Sequence, residues 1–518
     1  MTSVELTLSP EQAGKPSIYT PIAYKKAGLN ESTAGLVRVV RKSIDARSSA
    51  IKMNVAFEVF AKDEPMPPKD QYHWDDVSNG TPIVIIGSGP GGLFAALRLI
   101  ELGYKPIILE RGADVSSRKH DIAAINRNHP LNEESNYCFG EGGAGTYSDG
   151  KLFTRSKKRG NSRRILEIFN IHGASDDILY ESHPHIGTEK LPNIISAIRQ
   201  TILSSGGELH FNSKVTDLII DSEKVKEVVL SSGEKIATNA VILATGHSAR
   251  DIYQMLYHHK ILMEAKPFAM GVRVEHPQAV IDKIQYKIND RGPYLPPATY
   301  SLVTQAAGRG VYSFCMCPGG FIVPASTAAG ECVVNGMSPS GRNSIFANSG
   351  IVTEIRESDF ADLVPKHGVL AGLEFQRMFE QAAFAAGGGM QIAPAQRLND
   401  FVSGKTSQSS SKVSYHPGVT PGNMHDWMPK FMATSLRLGF TEFNNKMKGF
   451  VSSEAMILGV ESRTSSPVRI PRDKDTMAHP QLSNLFPCGE GAGYAGGIVS
   501  SAVDGERIAE SIAKIVVR

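Results

Sequence analysis

Glycine spacing is the first feature of this chain that could support chemistry, because the pattern G-x-G-x-x-G occurs three times. The three sets are Gly87, Gly89 and Gly92; Gly140, Gly142 and Gly145; and Gly491, Gly493 and Gly496. Such a turn lets the backbone approach the pyrophosphate of a dinucleotide. The pattern is informative only where a strand precedes it, a helix follows, and an acidic residue stands about 20 positions later. The flanking elements therefore decide how many dinucleotides are bound.

The first pattern meets all of these conditions. PIVIIG predicts a buried strand, PGGLFAALRLIELG a helix, and KPIILER a second strand that ends at Glu110. Gly87 suits a tight turn, Gly89 a close approach to pyrophosphate, and Gly92 close packing of helix on strand. The Glu110 carboxylate can accept hydrogen bonds from a ribose 2′-OH and disfavours a 2′-phosphate. The site therefore suits FAD or NAD more than NADP, although Arg111 weakens that distinction.

Two further segments favour FAD over NAD. The strand NAVILATGHS ends in Thr245 and Gly246, and the turn PCGEGAGYAGG leads into the helix IVSSAVDGERIAESI. Distant parts of the chain can therefore grip one long cofactor. We expect FAD, bound without a covalent link.

These segments resemble the glutathione-reductase-type FAD-binding fold over roughly 81–150, 190–250 and 461–518. More narrowly, FGEGGAGTYSDGKL, SHPHIGTEKL, MGVRVEHPQ, SFCMCPGG, ESRTSSPVRI and GEGAGYAGGIVSSAVDG are similar to a bacterial family of uncharacterised FAD-dependent dehydrogenases. That resemblance extends over nearly the whole chain. It implies an FAD-binding protein with an inserted domain, and it implies no particular substrate.

The second glycine pattern is not expected to form another Rossmann site, because RNHPLNEESNY precedes it and the polar TYSDGKLFTRSKKRG follows. The resemblance implies that this segment passes beside the pyrophosphate and isoalloxazine; packing alone remains the alternative. For the third glycine pattern, the resemblance implies that its backbone N–H groups lie near the flavin ribityl chain and that Glu490 faces this chain. One FAD is thus expected to be held in three places. The residues predicted to contact it are Gly87, Ser88, Gly89, Pro90, Gly91, Gly92, Glu110, Arg111, Gly142, Gly143, Gly145, Thr146, Asp149, Lys151, Val215, Thr245, Gly246, Gly489, Glu490, Gly496, Gly497 and Ile498.

The order of elements predicts an α/β protein with a discontinuous Rossmann-type FAD-binding domain. We expect a small N-terminal α+β domain and linker at 1–75, the FAD-binding domain at 76–250 and 461–518, and an inserted α+β substrate or cap domain at 251–460. In the N-terminal part, SVELTLSP and IKMNVAFEVFA predict strands, and the spacing of Leu36, Val39 and Val40 predicts a helix. A further helix is expected around Trp427 to Lys446, and a loop at 405–412.

Weak catalytic candidates are His183, His185, Arg273 and Arg463. The histidines could donate protons or bind substrate, and an arginine on a cap domain could clamp a carboxylate. Structural hydrogen bonds and a structural salt bridge are the favoured interpretations for His183, His185 and Arg273.

Cys315 and Cys317 form a C-x-C pair whose members would share one side of a strand. Redox chemistry is conceivable, but a buried and inert pair is the favoured interpretation. The basic run at 155–164 could bind a phosphate, NADP or nucleic acid; without interleaved aromatics, a solvated loop is favoured.

Composition narrows the class of protein. The chain has 518 residues, a formal charge of +3 and five cysteines without a C-x-x-C pair. This argues for a reducing compartment and against a disulfide framework or zinc site. The N-terminus lacks a secretory pattern, so we expect a cytoplasmic protein without membrane or nucleic-acid partners.

The function predicted from the sequence is an FAD-dependent oxidoreductase that transfers a hydride between a small organic substrate and flavin. NADH or NADPH could bind transiently as electron donor, or a protein electron carrier could serve. Alternatives are a flavin monooxygenase and, outside enzymes, a flavin-binding regulatory or RNA-associated protein. The substrate, the reaction direction, the catalytic acid or base and the oligomeric state are left open.

Overall fold

A parallel sheet forms the base of the predicted cofactor domain. The computed structural model describes residues 1–48, 50–65, 70–154 and 160–517. In spatial order the strands of the sheet are Leu485–Pro487, Val241–Leu243, Pro82–Ile86, Lys105–Leu109 and Glu208–His210. Neighbouring strands run parallel throughout. Apolar clusters cover both faces, which explains why the strands are continuous runs of apolar residues.

The predicted strand, glycine turn and helix at the start of this sheet are confirmed. The strand Pro82–Ile86 leads into the helix Pro90–Glu101. Gly87 has a φ of +103°, and a Cβ there would lie 2.6 Å from the carbonyl oxygen of Ala244. A Cβ at Gly92 would lie 2.0 Å from the Gly87 oxygen. The turn and the close helix packing therefore require glycine at both positions.

The predicted C-terminal helix is also confirmed, at Ile498–Ile515. It packs against the helix Pro90–Glu101 at very short range, since a Cβ at Gly505 would lie 2.1 Å from the carbonyl oxygen of Gly91. This contact brings the start of the last helix beside the first glycine turn.

A second sheet dominates the middle of the chain. In spatial order its strands are Val303–Ala306, Arg309–Cys317, Phe346–Ile355, Phe268–Pro277, Met456–Glu461, Ala393–Arg397 and Val419–Pro421. All neighbours are antiparallel except the last pair. The helices Ala371–Gly387 and Lys430–Lys446 pack on this sheet and complete its apolar core. The second of these is the helix expected around Trp427 to Lys446.

The N-terminal segment forms a small antiparallel sheet of Thr2–Leu8, Lys52–Ala61 and Ala34–Asp45, in that order. The helix predicted from Leu36, Val39 and Val40 is wrong, because these residues belong to the strand Ala34–Asp45. That strand pairs antiparallel with Lys52–Ala61. Val37 and Val39 pack on the core while Leu36 is exposed, so the true periodicity is two. Pairing with a distant strand and β-branched side chains outweigh the apparent helical spacing.

The remaining elements lie around these sheets. Further strands are Val215–Asp221, Lys224–Leu230 and Lys235–Ala237, which pair with one another; Phe321–Pro324 with Val334–Met337; and Glu264–Ala265 with Val468–Arg469. Further α-helices are Pro10–Gly14, Pro16–Ala27, Val115–Asn126, Ser162–Ile171, Leu191–Ser204, Arg250–His258, Gln278–Tyr286, Val364–His367 and Leu398–Ser403. Among the described residues, no helix combines the length and apolarity needed to cross a bilayer.

Candidate functional site

A cavity of about 260 Å³ lies at the carboxyl ends of the parallel strands. This is where open α/β sheets place their ligands. The predicted contact residues that line it are Gly87, Gly89, Pro90, Gly91, Glu110, Arg111, Gly143, Gly145, Val215, Thr245, Gly246, Gly489, Glu490, Gly496, Gly497 and Ile498. All three glycine patterns contribute to the wall, so the chain brings them to one cavity.

Other predicted contact residues lie outside this lining. They are Ser88, Gly92, Gly142, Thr146, Asp149 and Lys151. Several hold the wall in place; the Gly142 N–H, for example, donates to the Ser88 carbonyl oxygen at 3.0 Å. Others act through their side chains, such as Thr146, whose hydroxyl donates to the Glu141 carbonyl oxygen at 2.8 Å.

Glu110 joins two of the glycine segments. Its Oε2 accepts from the Ser88 N–H at 2.9 Å and the Ser88 hydroxyl at 2.7 Å. Its Oε1 accepts from the N–H groups of Gly112 at 2.9 Å and Gly140 at 3.0 Å. A carboxylate accepts about four hydrogen bonds, so the protein itself satisfies this one. Glu110 thus fixes the first turn against the second glycine segment.

The second glycine segment is held from behind by Arg118, whose side chain is fully buried. Its guanidinium donates to the carbonyl oxygens of Asn136 at 2.8 Å, Tyr137 at 3.1 Å and Glu141 at 2.7 Å. The segment contains the short 3-10 helix Gly143–Gly145 and follows no strand. The expectation that it is not a second Rossmann unit is therefore confirmed.

The third glycine segment is fixed by a buried ion pair. The Gly489 N–H donates to Asp504 Oδ2 at 2.9 Å, and Arg472 donates to both oxygens of Asp504 at 2.9 and 2.6 Å. Asp504 lies on the last helix, so the pair sets the distance between that helix and the turn.

His247 and Glu490 form a polar contact in the cavity wall. His247 Nδ1 lies 3.1 Å from Glu490 Oε2, and His247 Nε2 lies 3.0 Å from the Arg463 carbonyl oxygen. Sequence reasoning missed His247, although it directly follows the ATG that ends a predicted strand. This position could have indicated it.

Arg463 is the catalytic candidate that lines the cavity. Its guanidinium lies within a buried ionic network, 3.0 Å from Glu331 and 2.9 Å from Glu380; Arg250 contacts the same two carboxylates. Burial and the neighbouring Glu380 raise the pKa of Glu331 to about 7. The ion pairs with Glu331 and Glu380 hold the Arg463 side chain against carboxylates of the protein itself.

The other catalytic candidates lie away from the lining. His185 Nε2 is 3.1 Å from the Ser340 carbonyl oxygen, and burial lowers the pKa of His185. His183 packs against the ring of Phe153. Arg273 is fully buried and contacts Glu461 at 2.7 Å.

Cys315 also lines the cavity. The prediction of a buried pair is wrong for Cys315, which is exposed, and holds only for Cys317. The strand bulges between Phe314 and Cys317, and Cys315 has a φ of +48°. The bulge turns its side chain out of the regular alternation, which the sequence pattern does not reveal.

The basic run at 155–164 lies partly outside the described residues, because 155–159 are not among them. Of the remainder, Arg163 contacts Glu167 at 2.7 Å, and Arg164 contacts Glu101 and Glu506 at 2.6 and 2.7 Å. These two arginines bind carboxylates of the chain itself.

Comparison with known proteins assigns the family. The model "Pyridine nucleotide-disulphide oxidoreductase" matches residues 81–255, and "FAD-dependent protein, C-terminal domain-like" matches 267–464. A domain of unknown function matches 1–60. A protein of Clostridium beijerinckii, described only as uncharacterized, is 40% identical over 509 residues, or 94% of each chain. The chain belongs to this family of FAD-dependent proteins. It is an FAD-dependent oxidoreductase of Rossmann-type fold.

More distant similarities are partial. The tRNA uridine 5-carboxymethylaminomethyl modification enzyme MnmG of Alkaliphilus metalliredigens is 27% identical over 167 residues, covering 32% of this chain and 24% of that protein. The crystal structure of L-proline dehydrogenase from P. horikoshii is 11% identical, covers 85% of this chain and 95% of its own, and has a TM-score of 0.38.

The cavity wall suits the cofactor of this family. A Cβ built at Gly246, Gly496 or Gly497 meets no atom within 4 Å, and one at Gly89 meets only the Gly143 Cα at 4.0 Å. These glycines leave free the space that side chains would fill. Backbone N–H groups can therefore approach a bulky ligand directly.

Proposed function

We propose that this FAD-dependent oxidoreductase holds one FAD in the cavity at the parallel strand ends and exchanges a hydride with a small organic substrate. The observation that supports this most strongly is the convergence of three glycine segments on one cavity. When bound, FAD supplies a ring system that accepts or releases the hydride. The protein supplies position, charge and protection from water.

Two helix N-termini face the cavity. The helix Pro90–Glu101 begins after Gly89, and Ile498–Ile515 begins after Gly497; neither has a side-chain cap. Their first N–H groups and the positive end of each helix dipole favour anions. We assign the first helix to the FAD pyrophosphate and the second to the flavin edge, where it would stabilise negative charge on reduction.

A second cavity of about 510 Å³ adjoins the first and shares Cys315, Gly496 and Gly497 with it. Its lining includes the polar side chains of Ser500 and Arg507. We assign the organic substrate to this cavity, because the shared residues would place it next to the flavin.

The same architecture supports a proposal for the electron donor. Within the described residues, a strand, G-x-G-x-x-G turn and helix that lead directly into a second parallel strand occur once, at Pro82–Leu109. With FAD in that unit, a dedicated nicotinamide domain is lacking in this part of the chain. We therefore propose that the organic substrate reduces the flavin.

An anaerobic titration of the purified protein tests the proposal. We expect a flavin spectrum that neither NADH nor NADPH bleaches, and that a substrate screen of small organic reductants does bleach. Bleaching by either nucleotide would contradict the assigned donor. Protein that lacks flavin and does not take up added FAD would overturn the whole proposal.

The alternative functions give different results. Rapid formation of a flavin hydroperoxide on admitting oxygen to reduced protein would indicate a monooxygenase. Salt-sensitive RNA binding without any flavin turnover would indicate a regulatory protein.

A further inference from the structure

Two thiols lie together at the boundary between the two cavities. Cys315 lines both cavities and is exposed. Cys317 lies behind it, fully buried, and its Sγ is 3.3 Å from the Cys315 carbonyl oxygen. One sulfur is therefore accessible from the flavin cavity and the other stands directly behind it.

The Lys151 ammonium contacts both sulfurs. Its Nζ lies 3.5 Å from Cys315 Sγ and 3.4 Å from Cys317 Sγ. Arg273 adds a second cation, with Nη2 at 3.5 Å from Cys317 Sγ and 2.7 Å from the Cys315 carbonyl oxygen. Positive charge at this distance favours a thiolate over a thiol.

The nearby acidic groups are already paired. Asp149 lies 3.1 Å from both Lys151 and Arg342, and Glu461 lies 2.7 Å from Arg273. The two carboxylates therefore reduce the positive charge at the sulfurs without removing it.

The surroundings favour different protonation states for the two thiols. The neighbouring Cys317 thiol lowers the pKa of Cys315, and the cations Lys151 and Arg273 lower it further. The neighbouring Cys315 and burial raise the pKa of Cys317. The pair therefore favours one accessible thiolate and one thiol, the state of a reactive dithiol.

We propose that Cys315 and Cys317 form a second redox centre, which exchanges two electrons with the flavin through a reversible disulfide. In one direction, reduced flavin gives up two electrons and one proton, and the S–S bond breaks to one thiolate and one thiol. In the other direction, the thiolate and thiol form the S–S bond, and oxidised flavin takes up the same two electrons and proton. No further reactant enters this step, which rests on the proposed FAD site.

Lys151 acts as a positioning residue for this exchange. Thiol exchange depends on the thiolate fraction, and an opposite charge at this distance shifts a pKa by about one to three units. Lys151→Met should therefore slow the exchange roughly tenfold or more at neutral pH, and raising the pH should restore the rate.

The experiment uses flavin-loaded protein treated with oxidised glutathione and then freed of it. Alkylation and mass spectrometry should find the Cys315–Cys317 disulfide, with three of the five cysteines still free. After anaerobic photoreduction of the flavin, we expect the flavin absorbance to recover in the dark while two new thiols appear per FAD.

Three variants distinguish the outcomes. In Cys315→Ser and Cys317→Ser the flavin should bind and photoreduce but stay bleached. Cys332→Ala is the matched control, because this buried cysteine lies away from both cavities, and it should recover as wild type does. Failure to bind flavin would count against the FAD site. Flavin that binds and photoreduces, while the disulfide never forms or the absorbance never recovers, would overturn the redox pair alone.

Discussion

Replacing Gly89 by alanine tests whether open space at the first glycine turn serves the cofactor. Gly89 has φ −70° and ψ −178°, which alanine adopts without strain. The nearest protein atom to an added Cβ is the Gly143 Cα, at 4.0 Å. The apoprotein should therefore fold as well as wild type, with the free energy of unfolding changed by less than about 1 kcal/mol.

Cofactor binding should respond differently, because the methyl group would occupy the side of the backbone that faces the cavity. Displacing the pyrophosphate from one N–H removes a hydrogen bond to a charged group, worth about 1.5–3 kcal/mol. Since 1.4 kcal/mol corresponds to a tenfold change, the dissociation constant for FAD should rise roughly 10- to 150-fold.

The assay is fluorescence titration of apoprotein with FAD, alongside urea unfolding of the same apoprotein. Gly422→Ala is the matched control, because its Cβ also meets no atom within 4 Å and it lies outside both cavities. Equal FAD affinity for Gly89→Ala and wild type would refute the placement of pyrophosphate at this turn.

Two further predictions concern buried charges. Arg118→Met removes three hydrogen bonds to carbonyl oxygens behind the second glycine segment. We expect the free energy of unfolding in urea to fall by about 3 kcal/mol or more and the FAD content to decrease. An unchanged unfolding midpoint would contradict this role. Burial raises the pKa of Glu275 from 4.5 to about 7, so the folded state holds this proton more tightly and stability is lost as pH rises from about 4.5 through 7. The difference of 2.5 pKa units corresponds to about 3 kcal/mol of folding stability. Glu275→Gln should therefore flatten the curve of stability against pH in this window. A curve identical to that of wild type would exclude Glu275 as the source of the pH dependence.

The sequence predicts best where a site depends on neighbours along the chain. The strand, turn and helix around Gly87 and Gly92 follow from local spacing, because each glycine fits a requirement of the backbone within the same few residues. The same holds for the helix after Gly497.

Prediction from sequence is weakest where distant contacts decide the outcome. Val37 and Val39 form a strand because residues 52–61 pair with them. Cys315 leaves the regular strand alternation at a bulge, and Lys151, which contacts it, is distant in sequence. Neither the bulge nor the contact has a signal in the local pattern.

The contact between the first and last helices has a consequence for biosynthesis. Arg98 on the first helix and Glu510 on the last helix contact each other across 412 positions, and the cavity takes wall residues from both parts of the chain. A ribosome synthesises domains from the N-terminal side first, so the early parallel strands emerge long before the helix that completes their cofactor site. With FAD in the proposed site, its binding is completed only after the C-terminal helix has been synthesised and has docked.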